Sequence, residues 1–357
     1  MSDRALPASR SASRWGGVLV TLLRVLLPVL LALAAGGLIL LSFGKDPFAY
    51  YGYVVERGLL SPTGLEASIT RMAPLLLIAA GLIVAFRAGL WNLGVDGQFL
   101  LAAVCVAALA PPLAGLLPHA LMLLVCFAAA ALVGAAWSAI PAYLKARHGI
   151  NEIISTLMMS FLGVSLANVL IKIVFNDPTT TVPQTETLAV ADRLARLGDT
   201  TVHWGVLLGL AAVIGVHYLM SRTALGLKLQ IVGSNPRTAI HAGIDLKRLT
   251  FVAFALSAGL AGLGGAVDLL GVQGTIRADW NPAYGIAVIP LIFLARFNGW
   301  AVIAFVFFFA VLMIGGESAA RRLGVPSFYV LVQVALLMLF FAVVETFDHA
   351  WRKRRGA

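Results

Sequence analysis

The sequence predicts an all-α integral membrane protein with about ten transmembrane helices, a broken or re-entrant segment, and both termini in the cytoplasm. Composition predicts the class. Of the 357 residues 60% are hydrophobic and 12% charged, with a mean hydropathy of +0.94, which excludes a soluble domain. Ten apolar runs predict the number of helices, because most of them reach the ~20 residues that a helix needs to span a bilayer.

The apolar runs form one membrane domain, 17–346, between a tail at 1–16 and a basic tail at 347–357. The first run follows several arginines, as in a signal peptide, but it continues to Phe43. It is therefore interpreted as an uncleaved anchor. Run 284–296 is short and predicts a broken or tilted element. The predicted spans are 17–43, 66–86, 98–116, 119–143, 152–174, 204–220, 250–272, 284–296, 299–317 and 327–346.

The positive charges predict the orientation. A net charge of +10 would suggest nucleic acid in a soluble protein, but here the basic residues lie mostly in short segments beside apolar runs. With the N-terminus inside, sixteen Lys and Arg residues lie in inner segments and seven in outer segments, including the outer loop 175–203. This asymmetry favours cytoplasmic termini, with lipid rather than nucleic acid as the surroundings. Cys105 and Cys126 fall inside apolar runs and are interpreted as small core residues.

A polar, basic stretch at 221–249 contains a predicted short helix. Ser234 or Asn235 can cap its start, and Pro236 suits its first turn. Gly243 can end it in a left-handed conformation. The seven residues between them span about 10 Å, too short to cross a bilayer. Such a helix on the basic side suits docking onto a soluble partner; the alternative is an ordinary cytoplasmic loop with a surface helix.

A second polar stretch, 85–101, interrupts two apolar runs. It sets Arg87, Asn92, Asp96 and Gln98 among the glycines Gly89, Gly94 and Gly97. Three glycines in nine residues disfavour a continuous helix. Unwound backbone at membrane depth is tolerated where it lines a cavity or is buried in protein, and transporters use such breaks for polar solutes. Cavity lining and a tight loop at the inner face both remain open interpretations.

A third polar cluster opens the fifth span. Asn151 can cap that helix, and Glu152 in its first turn complements the helix dipole. Ser155 and Thr156 either face a pathway or bond to the preceding turn. In the seventh span, Asp268 is an acid in apolar surroundings, where such residues face a partner or water. Small residues repeated through the same span predict close helix packing.

Three motifs resemble those of permease subunits of ATP-binding-cassette (ABC) importers for nucleosides and simple sugars. These belong to the larger group that includes the ribose and branched-chain amino acid permeases. The resemblance runs from about 64 to 346 and rests on FRAGLWNLGVDGQ, GINEIISTLM, and GSNPRTAIHAGI followed by SAGLAGLGGA. The nucleoside branch is the most similar. Its usual wording has Phe or Tyr before the Asn and Glu before Gly-Gln, where this chain has Trp91 and Asp96. The exact solute is therefore left open.

The resemblance implies a division of labour among subunits. A second permease, often non-identical, two cytoplasmic ATPase subunits, and a periplasmic or lipid-anchored binding protein are expected at a bacterial inner membrane. The family's pathway region maps to Asn92, Asp96, Gln98, Asn151, Glu152, Ser155 and Thr156. Its coupling segment, which docks on the ATPase, spans 234–243 and includes Ser234, Asn235, Pro236, Arg237, Ala239, His241, Ala242 and Gly243.

The chain lacks GxxxxGK[ST], so ATP and Mg²⁺ are expected on the partner ATPase and no cofactor or metal on this chain. The expected function is the translocation pathway for an uncharged nucleoside or simple sugar. An ion-coupled secondary transporter is the alternative, with Asp96, Glu152 and Asp268 as candidate proton carriers. An intramembrane hydrolase is disfavoured, because there is no HExxH and the six histidines are scattered.

Overall fold

The computed structural model describes residues 11–326 and 328–354, so the predicted tail residues 1–10 and 355–357 lie outside the described residues. Residues 11–16 and 347–354, assigned from sequence to the tails, are helical. The described α-helices are α1 (Ser11–Ser42), α2 (Pro47–Val55), α3 (Pro62–Arg87), α4 (Val95–Ala114), α5 (His119–His148), α6 (Glu152–Val169), α7 (Gly205–Arg222), α8 (Ala224–Ser234), α9 (Pro236–His241), α10 (Leu246–Asp268), α11 (Tyr284–Leu294), α12 (Gly299–Leu323) and α13 (Tyr329–Arg354).

Among the described residues, seven helical segments are long and apolar enough to cross a membrane. They are α3, α4, α5, α6 with its π-helical extension to Val174, α7, α10 with its extension to Gln273, and α12. Three shorter apolar helices, Leu26–Ser42, Tyr284–Leu294 and Tyr329–Val344, coincide with the remaining predicted spans. The all-helical membrane class is therefore confirmed.

The larger of two compact units, 55–315, is built around α3 and α10. The apolar stretches of these helices are 78% and 67% buried, against 22% for α5 and 28% for α6, so α5 and α6 are peripheral. Close packing confirms the small-residue pattern. A Cβ added at Gly262 would overlap the carbonyl oxygen of Ala130 in α5, and one at Gly265 that of Phe99 in α4.

The second unit comprises the described parts of 1–54 and 316–357. In it α1 packs against α13. The Tyr51 hydroxyl lies 2.8 Å from the Leu33 carbonyl oxygen, to which it donates, and 3.0 Å from the Tyr329 hydroxyl. Gln333 accepts a further bond from Tyr329 at 3.2 Å. These bonds connect polar groups of α1, α2 and α13 that would otherwise be unpaired in apolar surroundings.

The polar stretch 221–249, predicted to lie on the inner side, contains more helix than its sequence predicted. Besides α9, it contains α8, whose first turn is capped by the Thr223 hydroxyl at 3.1 Å from the Gly226 nitrogen. α10 begins at Leu246, four residues before the predicted span, with Asp245 as its cap. The predicted outer loop 175–203 is irregular apart from a short 3₁₀ turn at Val190–Asp192.

Candidate functional site

The connection between α3 and α4, residues 88–94, is the non-helical break that its glycines predicted. α3 ends at Arg87, and the chain resumes a helix only at Val95. Gly89 has φ of +71°, a left-handed conformation that favours glycine. The prediction of a broken segment is therefore confirmed.

The amides of Asn92 and Gln98 pair with each other inside the protein. Asn92 Nδ2 donates to Gln98 Oε1 at 3.0 Å, and Gln98 Nε2 donates to Asn92 Oδ1 at 3.1 Å. Asn92 Nδ2 also donates to the hydroxyl of Ser257 in α10 at 3.0 Å, and its Oδ1 accepts from the Gly94 nitrogen. The polar groups of both side chains are satisfied within the break and α10, as their burial requires.

The contact with Ser257 defines the height of the break. Ser257 is the twelfth of the 23 residues of α10, so Asn92 lies level with the middle of a helix long enough to span a membrane. At the start of the break, a Cβ added at Gly89 would overlap the backbone of Gly233 in α8. The break therefore extends from α8 to the middle of α10, and cavity lining by this stretch stays a prediction.

α6 holds the other side of the break. The Thr156 hydroxyl accepts a bond from the Leu93 nitrogen at 3.1 Å and donates to the Glu152 carbonyl oxygen at 2.6 Å. Thr156 thus bonds to the preceding turn, one of its two predicted interpretations. The Gly97 nitrogen donates to the Ser160 hydroxyl at 3.3 Å. The break is therefore hydrogen-bonded to both neighbouring helices.

The two acids of the predicted pathway already have partners. Asp96 Oδ1 accepts from the Gly285 nitrogen, at the start of α11, at 2.7 Å. Glu152 Oε2 lies 2.7 Å from Lys145 Nζ. Asn151 caps α6 by accepting from the Ile153 nitrogen at 2.9 Å, which confirms its predicted capping role.

Burial distinguishes the predicted pathway residues from one another. Apart from the exposed Asn151, all of them are buried: Asn92, Asp96, Gln98, Glu152, Ser155 and Thr156. Trp91, the aromatic residue of the break, is 38% exposed. In this conformation Asn92 and Gln98 position the break, and their contact with a solute stays a prediction.

Several partners of the break were missed from sequence. Ser257 bonds to Asn92 in the break, and Ser160 and Gly285 bond to the first turn of α4, each from 63 or more residues away along the chain. The Trp91 ring stacks on Phe293 of α11, with centroids 5.6 Å apart. Phe86 packs beside it at 5.1 Å. Ser257 stands out as a hydroxyl within a row of small residues, but no local signal could pair it with Asn92.

The helix of the coupling segment begins and ends close to the residues that its sequence predicted. Asn235, rather than Ser234, caps α9 by accepting from the nitrogens of Arg237 and Thr238 at 3.0 and 3.2 Å. Ser234 ends α8 instead, with its hydroxyl on the Ile231 carbonyl. Gly243 follows with φ of +71°. The helix has six residues instead of seven, because Ala242 is already its C-cap.

The structure contradicts the prediction for one residue of this segment. Ala239 is fully buried within its own chain, so the expectation that it lies on a docking face is wrong. Its neighbours Pro236, Arg237, Thr238, Ile240, His241, Ala242 and Gly243 are exposed. Ile240 is a large apolar side chain that is 59% exposed. Single exposed apolar side chains are ordinary on protein surfaces. Sequence analysis did not single out Ile240, and its contact with a partner stays a prediction.

Comparison with known proteins identifies the family. Residues 64–341 match the model for the permease component of the branched-chain amino acid transport system. The chain belongs to this permease family. The permease is 35% identical over 332 residues to the glucose ABC transporter permease protein TsgB13 of Haloferax volcanii, covering 90% of this chain and 87% of the relative.

Two bacterial relatives match over similar lengths. The guanosine ABC transporter permease protein NupP of Bacillus subtilis is 29% identical, over 90% of this chain and 93% of the relative. The nucleoside ABC transporter permease protein NupB of Lactococcus lactis is 27% identical, over 91% of each chain. Each organism has a second similar permease of the same description, NupQ at 23% and NupC at 25% identity. These relatives therefore occur in pairs.

Proposed function

We propose that this permease forms half of the translocation pathway of an ABC importer for a nucleoside, with a related simple sugar as the second candidate solute. The observation that carries the proposal is the family match across 64–341. Relatives named for guanosine, nucleoside and glucose transport support this solute class. These solutes are uncharged, and the buried side chains around the break are mainly amides and hydroxyls.

The proposal includes three kinds of partner. A second, paralogous permease is supported by the paired relatives in two bacteria. A cytoplasmic ATPase, binding ATP and Mg²⁺, docks on the coupling segment, whose exposed Arg237, Ile240 and His241 offer charged, apolar and polar contacts. A periplasmic or lipid-anchored binding protein delivers solute to the outer face.

The proposed mechanism is alternating access. ATP-driven closure of the ATPase pair moves the two coupling segments, and each permease rocks about the seam between the subunits. The solute crosses along this seam beside the break 88–94. Packing favours such rigid movement, because α10 holds α3, α4 and α5 together through small residues and the break is bonded to α6 and α10.

The proposal places ten spans in a bacterial inner membrane with both termini in the cytoplasm. Cysteine labelling tests this topology in a cysteine-free background. Val190 in the outer loop and Ile240 in α9 suit the purpose, because they are 69% and 59% exposed. We expect Val190→Cys to react from outside and Ile240→Cys only from inside. Labelling of both from one side would contradict the topology.

The function itself is tested by reconstituting the permease pair, the ATPase and the binding protein in vesicles. We expect uptake of labelled guanosine or glucose that requires ATP and survives an uncoupler of ion gradients. An ion-coupled transporter would show the reverse dependence. That alternative is disfavoured because two of its three candidate proton carriers are already partnered, Asp96 by the Gly285 nitrogen and Glu152 by Lys145.

A further inference from the structure

The guanidinium of Arg87 connects three segments at the inner end of α3. Its Nη1 donates to Gln230 Oε1 in α8 at 3.1 Å, and its Nη2 donates to the Phe297 carbonyl oxygen, beyond α11, at 3.1 Å. We call Arg87, Gln230 and Phe297 the Arg87 junction. The planar guanidinium of arginine carries donors that point in different directions, and the single ammonium of lysine cannot reproduce this geometry.

The first arm of the Arg87 junction leads to the coupling segment. Gln230 is fixed within its own helical hairpin, because its Nε2 donates to the carbonyl oxygens of Met220 and Gly226. Gly233, one turn on, packs so closely that a Cβ there would overlap the Arg87 carbonyl oxygen. α8 continues into α9 through a single residue, the cap Asn235. α8 therefore connects α9 to the end of α3.

The second arm leads to α11 and the break. Phe297 adopts φ of +58°, an unusual conformation for a residue with a side chain. Its ring packs against Phe293 with centroids 5.3 Å apart, and Phe293 stacks on Trp91 of the break. At the opposite end of α11, the Gly285 nitrogen bonds to Asp96. α11 thus contacts both the beginning of α4 and, through the Arg87 junction, the coupling side.

An open cleft of about 440 Å³ lies beside these residues. It is lined by Arg87, Gln230, Ile231, Ser234 and Phe297. The cleft thus lies against the Arg87 junction itself and leaves α8 open space beside the junction, into which the helix can shift as a unit.

We propose that Arg87 is a positioning residue that transmits movement of the coupling segment to the break 88–94 and to α11. This inference rests on the proposed function, because it assumes that the coupling segment docks on an ATPase. A basic residue that only marks the cytoplasmic side would work equally well as lysine. A transmitting residue requires both bonds of the guanidinium at once, so Arg87→Lys distinguishes the two roles.

The experiment compares Arg87→Lys with Arg222→Lys in the complete reconstituted complex. Arg222 is the matched control, because it is exposed at the end of α7 on the same side. For Arg87→Lys we expect normal assembly, retained ATPase stimulation by the loaded binding protein, and about tenfold less solute imported per ATP hydrolysed. Arg222→Lys keeps the wild-type ratio. A wild-type ratio in Arg87→Lys overturns the proposal, and so does failure of that variant to assemble.

Cysteine labelling needs no transported solute, so it distinguishes failure of this proposal from failure of the proposed function. Ile286, in the first turn of α11, is 59% exposed, and Ile286→Cys in a cysteine-free chain reports on the far end of that helix. We expect ATP to change its labelling rate severalfold in the otherwise wild-type complex and to leave it unchanged with Arg87→Lys. If neither guanosine nor glucose is transported but this difference persists, the solute assignment fails and the transmission stands. An equal response in both complexes overturns the transmission.

Discussion

The break 88–94 and the coupling segment 234–243 are both short polar interruptions in an apolar chain, but they differ in burial and in hydrogen bonding. In the break Asn92 is fully buried and bonds to Gln98 and Ser257. The coupling segment is exposed except at Ala239, and the side-chain bonds of its cap Asn235 stay within the segment. Polar residues in the first region position backbone inside the protein, whereas those in the second remain available to a partner.

The difference shows why polarity alone does not identify a contact surface. Burying an amide is costly unless its donors and acceptors are paired, so the side chains of the break are held by their hydrogen bonds. Exposed side chains carry no such requirement. Substitutions in the break are therefore expected to act first on stability, and those on the exposed face of α9 on assembly with the partner.

The largest expected effect is that of Ala239→Glu. The wild-type side chain is fully buried, so the glutamate places an unpaired charge against the protein interior, at a cost of several kcal/mol. We expect the amount of folded permease in membranes to fall at least tenfold. Ala242→Glu is the matched control, because Ala242 is exposed at the end of the same helix and should leave the amount unchanged. Equal amounts of the two variants would remove the distinction between buried and exposed sides of α9.

The next effect is that of Ile240→Glu. This side chain is 59% exposed, so the permease should keep its melting temperature while the ATPase no longer co-purifies and uptake falls to background. Leu116→Glu provides the control, since Leu116 is 77% exposed in the turn after α4, on the predicted outer side. Wild-type uptake in Ile240→Glu would show that α9 is an ordinary surface helix.

Asn92→Ala should have an intermediate effect. It leaves the buried groups of Gln98 and Ser257 without their Asn92 partner, and each unsatisfied group costs about 1–3 kcal/mol. We expect the melting temperature of the purified permease to fall by about 5 °C or more. Asn151→Ala, at an exposed cap, should lower it less. A smaller shift for Asn92→Ala than for Asn151→Ala would contradict the structural role of the break.

The smallest expected effect is that of Asn235→Ala. It removes the cap that accepts from two backbone nitrogens of α9, which is worth about 1 kcal/mol. We expect uptake to fall severalfold through fraying of α9, with normal permease levels. Asn235→Asp, which can still cap, should restore uptake. Equal loss in both variants would point to a side-chain contact with the partner instead of a capping role.

Much of the fold follows from local signals. Hydrophobic length predicted the helices, and the glycines of the break predicted its position. Asn235 and Gly243 predicted the ends of α9 to within a residue. α8 was missed although Thr223 is a capping residue and Leu225, Leu229 and Val232 recur at helical spacing. The basic residues of the stretch favoured the prediction of a loop instead.

The sequence by itself determined the membrane class, the break and the presence of a short capped helix in the polar stretch 221–249. Each depends on interactions within a few residues, such as apolar length, glycine conformations and helix caps. Only the tertiary structure decided that Asn92 faces Ser257, that Asp96 accepts from Gly285, and that Ala239 is buried while Ile240 is exposed. These outcomes depend on contacts between segments up to 189 residues apart, which no local pattern of residues specifies.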